Sequence, residues 1–330
     1  MVVSIGMRLQ EGPWGGGNQF GSSLAAYLRA RGIEVIFDLQ RPSIDLILLT
    51  EPRGDLRTSA FTDDDIARYQ SVQSRRALVV HRVNECDERK GTQGVNAHLR
   101  HANRVADATV FISTWLRDLH LGQGMVPRGV TVILNGADAA VFHPEGRAVW
   151  HGNGPIRLVT HHWGANEQKG MDVYRQLDEM LDAPAIRGRM AFTYIGNLPA
   201  DVRFRNTTVV APLHGPALAA ALRSHHIYVT GSLSEPAGMH HIEGAACGLP
   251  LLFRRSGALP EYCADFGEGY HGGDLPEALR RLVMSYHVWA DRVLTYPHTA
   301  DRMCESYLML FRSLLQQRDR TLMCAPTEAC

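Results

Sequence analysis

The 330-residue chain has no excess of either charge: 34 Lys and Arg balance 34 Asp and Glu. No net field therefore draws it to nucleic acid or an anionic membrane, and nucleic acid is not an expected partner. A local basic patch around Arg75 and Arg76 stays open. No apolar run approaches the ~20 residues needed to span a bilayer. The opening MVVSIGMRL lacks a basic region followed by a long apolar segment. It is expected to be a buried strand, not a signal peptide. Six cysteines (Cys86, Cys247, Cys263, Cys304, Cys324, Cys330) contain no C-x-x-C pair, which points to reduced thiols in a cytoplasmic protein. There is no short internal repeat and no low-complexity stretch.

What is present is a repeated alternation of short Val, Ile and Leu runs with helical patterns. Val2–Met7, Glu34–Asp38, Ile44–Leu49, Ala77–His81, Ala108–Ile112 and Val130–Leu134 read as strands. Helices are expected near Gln19–Arg31, Asp63–Ser71 and Val95–Ala106. The strand runs are continuous rather than alternating, as in a parallel sheet covered on both faces. A Gly- and Pro-containing stretch, Phe142–Pro155, reads as a linker, and a second series follows from Ile156. The expected organisation is a first Rossmann-like α/β domain over 1–145 and a second over 156–298. A helix over 299–318 is expected to pack back on the first domain, with 319–330 as a tail. At roughly 150 residues per domain, this length suits two.

The densest signal is residues 234–250, SEPAGMHHIEGAACGLP. Glu235 and Glu243 are separated by seven residues, with Pro236-Ala237-Gly238 as a tight turn opening a helix and Gly248 as its stop. Free N–H groups at such a helix start bind phosphate oxygens, helped by the helix dipole, which makes Gly238, Met239 and His240 candidates for a diphosphate. Carboxylates before and inside the helix can accept hydrogen bonds from sugar and ribose hydroxyls. Lys169-Gly170 opens another helix and can neutralise a leaving diphosphate. The Gly12–Asn18 stretch after strand one lacks the spaced G-x-G-x-x-G of a dinucleotide site, but Gly15, Gly16, Gly17 and Asn18 still permit close backbone approach to a ligand. His81 at a strand end, followed by Arg82, Asn84, Asp87, Glu88, Arg89 and Lys90, is a polar cluster where α/β domains keep site groups.

The 234–261 segment resembles the E-x7-E signature of the retaining glycosyltransferases of family four in the carbohydrate-enzyme scheme. The matching residues are Glu235, Gly238, Glu243, Ala246, Gly248, Pro250, Gly257, Pro260 and Glu261. Ala237 stands where an aromatic is common, and no arginine precedes Lys169, its place being taken by His161, His162, Trp163 and Asn166. A histidine or an arginine from elsewhere is the expected substitute.

The resemblance implies a GT-B architecture, two Rossmann-like domains with parallel sheets facing across a cleft. It also implies transfer of a sugar from a nucleotide diphosphate to an acceptor hydroxyl or amine with retention. Glu235, Lys169 and His81 would be catalytic, and Gly15–Asn18, Gly238–His240 and Glu243 would bind the donor. Asn84 and Asp87 are acceptor-side candidates. No protein-held cofactor or metal is expected, because the HH pairs have no third ligand at diagnostic spacing. A UDP-sugar is the default donor, with GDP- or dTDP-sugars behind it. The acceptor, a small molecule or glycan, is not identified, nor is the oligomeric state, and peripheral membrane association stays open. Asn135-Gly136 with Asp138 and Phe142 resembles the family's turn before the linker and reads as structural. The rivals are a GT-B epimerase or phosphorylase, a dinucleotide oxidoreductase, and a non-catalytic sugar-nucleotide-binding partner of another transferase.

Overall fold

The computed structural model describes residues 1–10, 15–73 and 77–324. Gly12–Trp14 of the glycine-rich turn, the Arg75–Arg76 patch and residues 325–330 lie outside the described residues. Two successive α/β halves each carry a six-stranded sheet. The first comprises β1 (Val2–Ile5), α1 (Gly16–Arg29), β2 (Glu34–Ile36), β3 (Leu46–Leu49), α2 (Asp63–Val72) and β4 (Leu78–Val83). It continues with α3 (Val95–Ala102), β5 (Ala108–Phe111), α4 (Thr114–Gly122) and β6 (Val130–Val132). The second runs through β7 (Ile156–His162), α5 (Met171–Met180), β8 (Met190–Gly196), β9 (Thr208–Val210), α6 (Gly215–Arg223) and β10 (Ile227–Thr230). It ends with α7 (Met239–Ala246), β11 (Leu251–Arg254), α8 (Leu259–Cys263), β12 (Gly267–Tyr270), α9 (Leu275–Met284) and α10 (Tyr286–Arg292), and α11 (Ala300–Cys324) closes the chain.

All named strand pairs are parallel. The first sheet has the order β2-β1-β3-β4-β5-β6 and the second β12-β11-β10-β7-β8-β9. The order therefore reverses between β1 and β3 in one sheet and between β7 and β10 in the other, and ligands of open α/β sheets bind beyond such points. Leu46–Leu49 are all fully buried, as a strand covered on both faces requires.

Local chemistry explains the helix ends. Thr62 and Asp65 form a capping box on α2. Ser113 accepts from the Leu116 N–H and starts α4, a helix the periodicity does not reveal. β12, with the sequence GEGY, is also invisible to pattern reading. A Cβ at Gly267 would fall 1.8 Å from the Leu251 carbonyl oxygen, so close strand approach selects glycine there over a β-branched residue.

Two expectations change. Phe142–Pro155 is not a free linker, because it is tied down on the second half. Arg147 donates to the Gly248 and Ala290 carbonyls, and the Trp150 ring sits edge-on to Tyr286 at 5.8 Å. The final helix does not stop at Arg318 but continues to Cys324. It packs on α1, with Met303, Tyr307 and Phe311 buried against Phe20, Leu24 and Leu28. The crossing before it needs Gly136, where a Cβ would lie 2.1 Å from the Thr299 carbonyl oxygen. No helix of the described residues is long and apolar enough to cross a membrane.

Candidate active site

Two adjoining cavities occupy the cleft. One, about 300 Å³, lies past β7 and the start of α7, and is lined by Gly15, Gly16, His161, Lys169, Gly238, Met239, His240 and Glu243. The other, about 250 Å³, lies past β1 and β3, and is lined by Gly15–Asn18, Arg82, Asn84, Asn135 and Glu235. Met239 and Gly16 separate them, touching so closely that a Cβ at Gly16 would meet Met239 at 2.6 Å.

Glu235 is 1% exposed, and its position is over-determined. Ser234 before it is held at φ 47°, an unfavourable region for a non-glycine residue, by its N–H donating to Ser256. Gly257 packs against the Glu235 backbone, where a Cβ would come within 2.5 Å. Ala258 N–H donates to the Glu235 carbonyl at 2.8 Å. On the side chain, Lys169 Nζ donates to Oε2 at 2.7 Å, and Arg89 Nε lies 3.5 Å from Oε1. Burial pushes this carboxyl up, but Lys169 and Arg89 outweigh it and hold Glu235 at about 2. It is therefore a fixed anion at any ordinary pH and acts as a hydrogen-bond acceptor, not as a proton donor.

Glu243 is also engaged. His161 Nε2 lies 2.7 Å from its Oε2, and Gln19, from α1 across the cleft, donates to Oε1 at 3.1 Å. His240 sits at the first turn of α7 with its ring bonded to Thr230 at 2.9 Å, and burial lowers it far below the ordinary histidine range. His162, against Tyr174 at 2.6 Å, is lowered for the same reason. Gly238 is required, since a Cβ would strike His240 at 2.5 Å and the Glu235 carboxyl carbon at 2.9 Å. Among the described residues no group of three His, Cys, Asp or Glu is arranged to hold a metal ion.

Lys169, Glu235, Gly15–Asn18, Gly238–His240, Glu243 and Asn84 thus meet in one cleft. His81 does not. β4 runs on to Val83, and strand alternation turns His81 away from the cavities toward Asn103, which its Nδ1 meets at 2.9 Å. Burial lowers it to about 4. Arg82, one residue on, faces the cleft instead. Asp87 is not at the cavities either: its carboxylate accepts from the Val95 and Asn96 N–H groups and starts α3. Asn18 spends its amide on the Gln10 backbone, accepting at 2.8 Å and donating at 2.9 Å, so it shapes the loop rather than offering a free group.

Arg89 is the group that sequence reasoning under-used. It lines both cavities from the first half and reaches Glu235 of the second. Its one signal in the sequence is its place in the polar run HRVNECDERKG. Arg89 lies beside Lys169, whose charge it disfavours, and both face Glu235.

No family model matches the chain. Over 205 residues it is 24% identical to the sulfoquinovosyl transferase SQD2 of Arabidopsis thaliana, a match covering 57% of this chain and 39% of that protein. The whole fold is that of the GT-B glycosyltransferases. A sucrose-phosphate synthase from Thermosynechococcus elongatus superposes with a TM-score of 0.62 at 15% identity, covering 98% of this chain and 99% of that one. Anabaena HepE, solved with UDP and glucose, superposes with a TM-score of 0.66 at 12% identity, covering 94% and 99%.

Proposed function

We propose that this chain is a retaining glycosyltransferase that moves a sugar from a nucleoside diphosphate to an acceptor hydroxyl or amine. The observation that carries this reading is the buried Lys169–Glu235 pair beside the start of α7, flanked by Arg89. The names of the similar proteins agree with it: one transfers a sulfoquinovosyl group, and another was solved with UDP and glucose. UDP is the first donor to test on that ground.

The chemistry follows from charge placement. Departure of the sugar leaves an oxocarbenium-like centre and puts negative charge on the diphosphate. Lys169, Arg89 and the open N–H groups of α7 stand ready for that charge, and such preorganised groups act strongly in a water-poor cleft. Glu235, permanently ionised, accepts from sugar hydroxyls and offsets positive charge on the ring. Glu243 turns toward the ribose, its orientation set by His161 and Gln19. The leaving phosphate takes the acceptor proton, so no protein nucleophile is needed. The Gln19–Glu243 and Arg89–Glu235 contacts span the cleft, so closure completes the site and keeps water from the donor.

The test is thermal-shift screening against UDP, GDP, dTDP, NAD and NADP, with Glu243→Ala alongside. A ligand at a hundredfold excess over its dissociation constant adds about 2.7 kcal/mol of stability, a readable shift. One nucleoside diphosphate should stabilise the chain, and Glu243→Ala should weaken that shift. A response confined to NAD or NADP overturns the reading.

A further inference from the structure

Arg82 is 1% exposed, yet among the described residues it has no counter-ion. Its NH2 donates to Asn135 at 3.0 Å, while Nε and NH1 have no hydrogen-bond partner. Among the described residues no carboxylate contributes to its electrostatic surroundings; its polar neighbours are the neutral Tyr307 hydroxyl, which hydrogen-bonds toward the guanidinium, and Tyr262. The Phe20 ring, 3.8 Å from the guanidinium carbon, and the neighbouring Tyr307 hydroxyl offset part of the charge but supply no counter-ion. Arginine does not escape by losing its proton, and a buried charge without a partner is strongly unfavourable. Arg89 shows the contrast in the same cleft, paired with both Glu85 and Glu235.

The space in front of Arg82 is the cavity of about 250 Å³. Its opposite rim is the start of α1, a 14-residue helix whose cap residue Gly15 offers no side chain and whose first turn holds no acid. Cβ atoms at Gly15 or Gly17 would meet nothing within 4 Å and no side chain caps the start of α1, so there is room for a ligand beside that backbone. The two carboxylates on the rim do not repel an incoming anion: Glu51 is neutralised by Arg53, and Glu235 by Lys169 and Arg89.

We infer that the Arg82 cavity is an anion subsite, distinct from the diphosphate position beside Lys169, that takes a phosphate, sulfonate or carboxylate group. Resting on the transferase reading, that group belongs to one of the two sugar substrates, either the transferred sugar or the acceptor.

The experiment titrates inorganic phosphate into the full chain saturated with UDP, with sodium chloride holding ionic strength constant. Saturable binding is expected. Arg82→Gln should weaken it at least tenfold, and Arg82→Lys, which keeps the charge, should weaken it less. Circular dichroism confirms that each variant is folded. No saturable binding to the wild-type chain, or binding that survives Arg82→Gln, overturns the inference. If UDP fails to bind but phosphate still binds through Arg82, the subsite stands and the nucleotide reading falls. Tight UDP binding without phosphate binding overturns the subsite and leaves the nucleotide reading intact.

UDP-glucuronate against UDP-glucose then separates the two sources. A donor-borne anion gives a tenfold or greater preference for the uronate, lost in Arg82→Gln, and the uronate excludes phosphate. An acceptor-borne anion gives no preference, and phosphate binds equally beside either nucleotide sugar.

Discussion

The two walls of the cleft are built from similar sheets but satisfy their polar groups differently. On the second half Glu235 meets Lys169, Glu243 meets His161, and His162 and His240 each have a hydroxyl partner. On the first half, Arg89 shares carboxylates across the cleft and Arg82 has none. The contrast extends inward. The first sheet's interior is largely Val, Ile and Leu, whereas the second buries histidine and tyrosine rings at the cleft end of β7 and β10. These pairs hold the second wall's charged groups in fixed positions, although both ring nitrogens of His241 lack a partner. On the first wall only Arg82 is left without a carboxylate among the described residues.

The strongest way to break this comparison is to remove the centre of the fixed wall. Lys169→Ala should lower sugar transfer about 10²- to 10³-fold, the range seen when one preorganised donor to a developing anion is lost. Steady-state rates with the donor identified by thermal shift check it, and a loss under threefold would remove Lys169 from the chemistry. Arg89→Gln tests whether the first wall supplies charge to the same anion. About a tenfold fall in nucleoside diphosphate affinity is expected, equivalent to about 1.4 kcal/mol. Unchanged affinity by calorimetry would leave Arg89 as a bridge between Glu85 and Glu235 only.

Acid sharpens the contrast between the two interiors. His241 is lowered to about 3 and His226 and His298 to about 4, with His162 and His240 also far down, all by burial. A histidine lowered in the native state is protonated first in the unfolded chain, so stability falls as pH drops through the window from about 6.5 to about 3. The first half has fewer such groups, chiefly His81 at about 4 and His120. Hydrogen exchange at pH 7 and pH 5 should therefore show protection lost earlier in β7, β8 and β10 than in β1, β3 and β4. Even loss across both sheets would contradict this.

The smallest effect concerns a residue that the fold claims for itself. Asp87→Ala removes the acceptor that starts α3 and should lower stability by about 1 kcal/mol. Transfer by the folded protein should stay within twofold, as read by chemical denaturation and rate. A tenfold loss of rate would return Asp87 to the acceptor side.

The linear chain by itself determined the α/β class, the two successive halves, and the α7 turn with its two carboxylates. These rest on local rules: apolar runs make buried parallel strands, and Pro-Ala-Gly before a helix makes an anion-friendly start. Gly248, at φ 82°, ends α7 as the sequence implied. The sequence also placed Lys169 beside that helix through its resemblance to a known pattern.

Tertiary structure decided which members of the polar run after β4 serve the cleft. β4 extends past His81 to Val83, so both residues lie within the strand, where successive side chains point to opposite faces. His81 therefore faces Asn103 and Arg82 the cleft cavity. Asp87 was drawn onto α3, and Arg89 was carried across to Glu235. Whether a charge is paired depends on neighbours far away in sequence, and Arg89 and Glu235 come from opposite walls. Pairing of that kind leaves no periodicity to read, which is why the empty counter-ion position at Arg82 becomes visible only when the two sheets face each other.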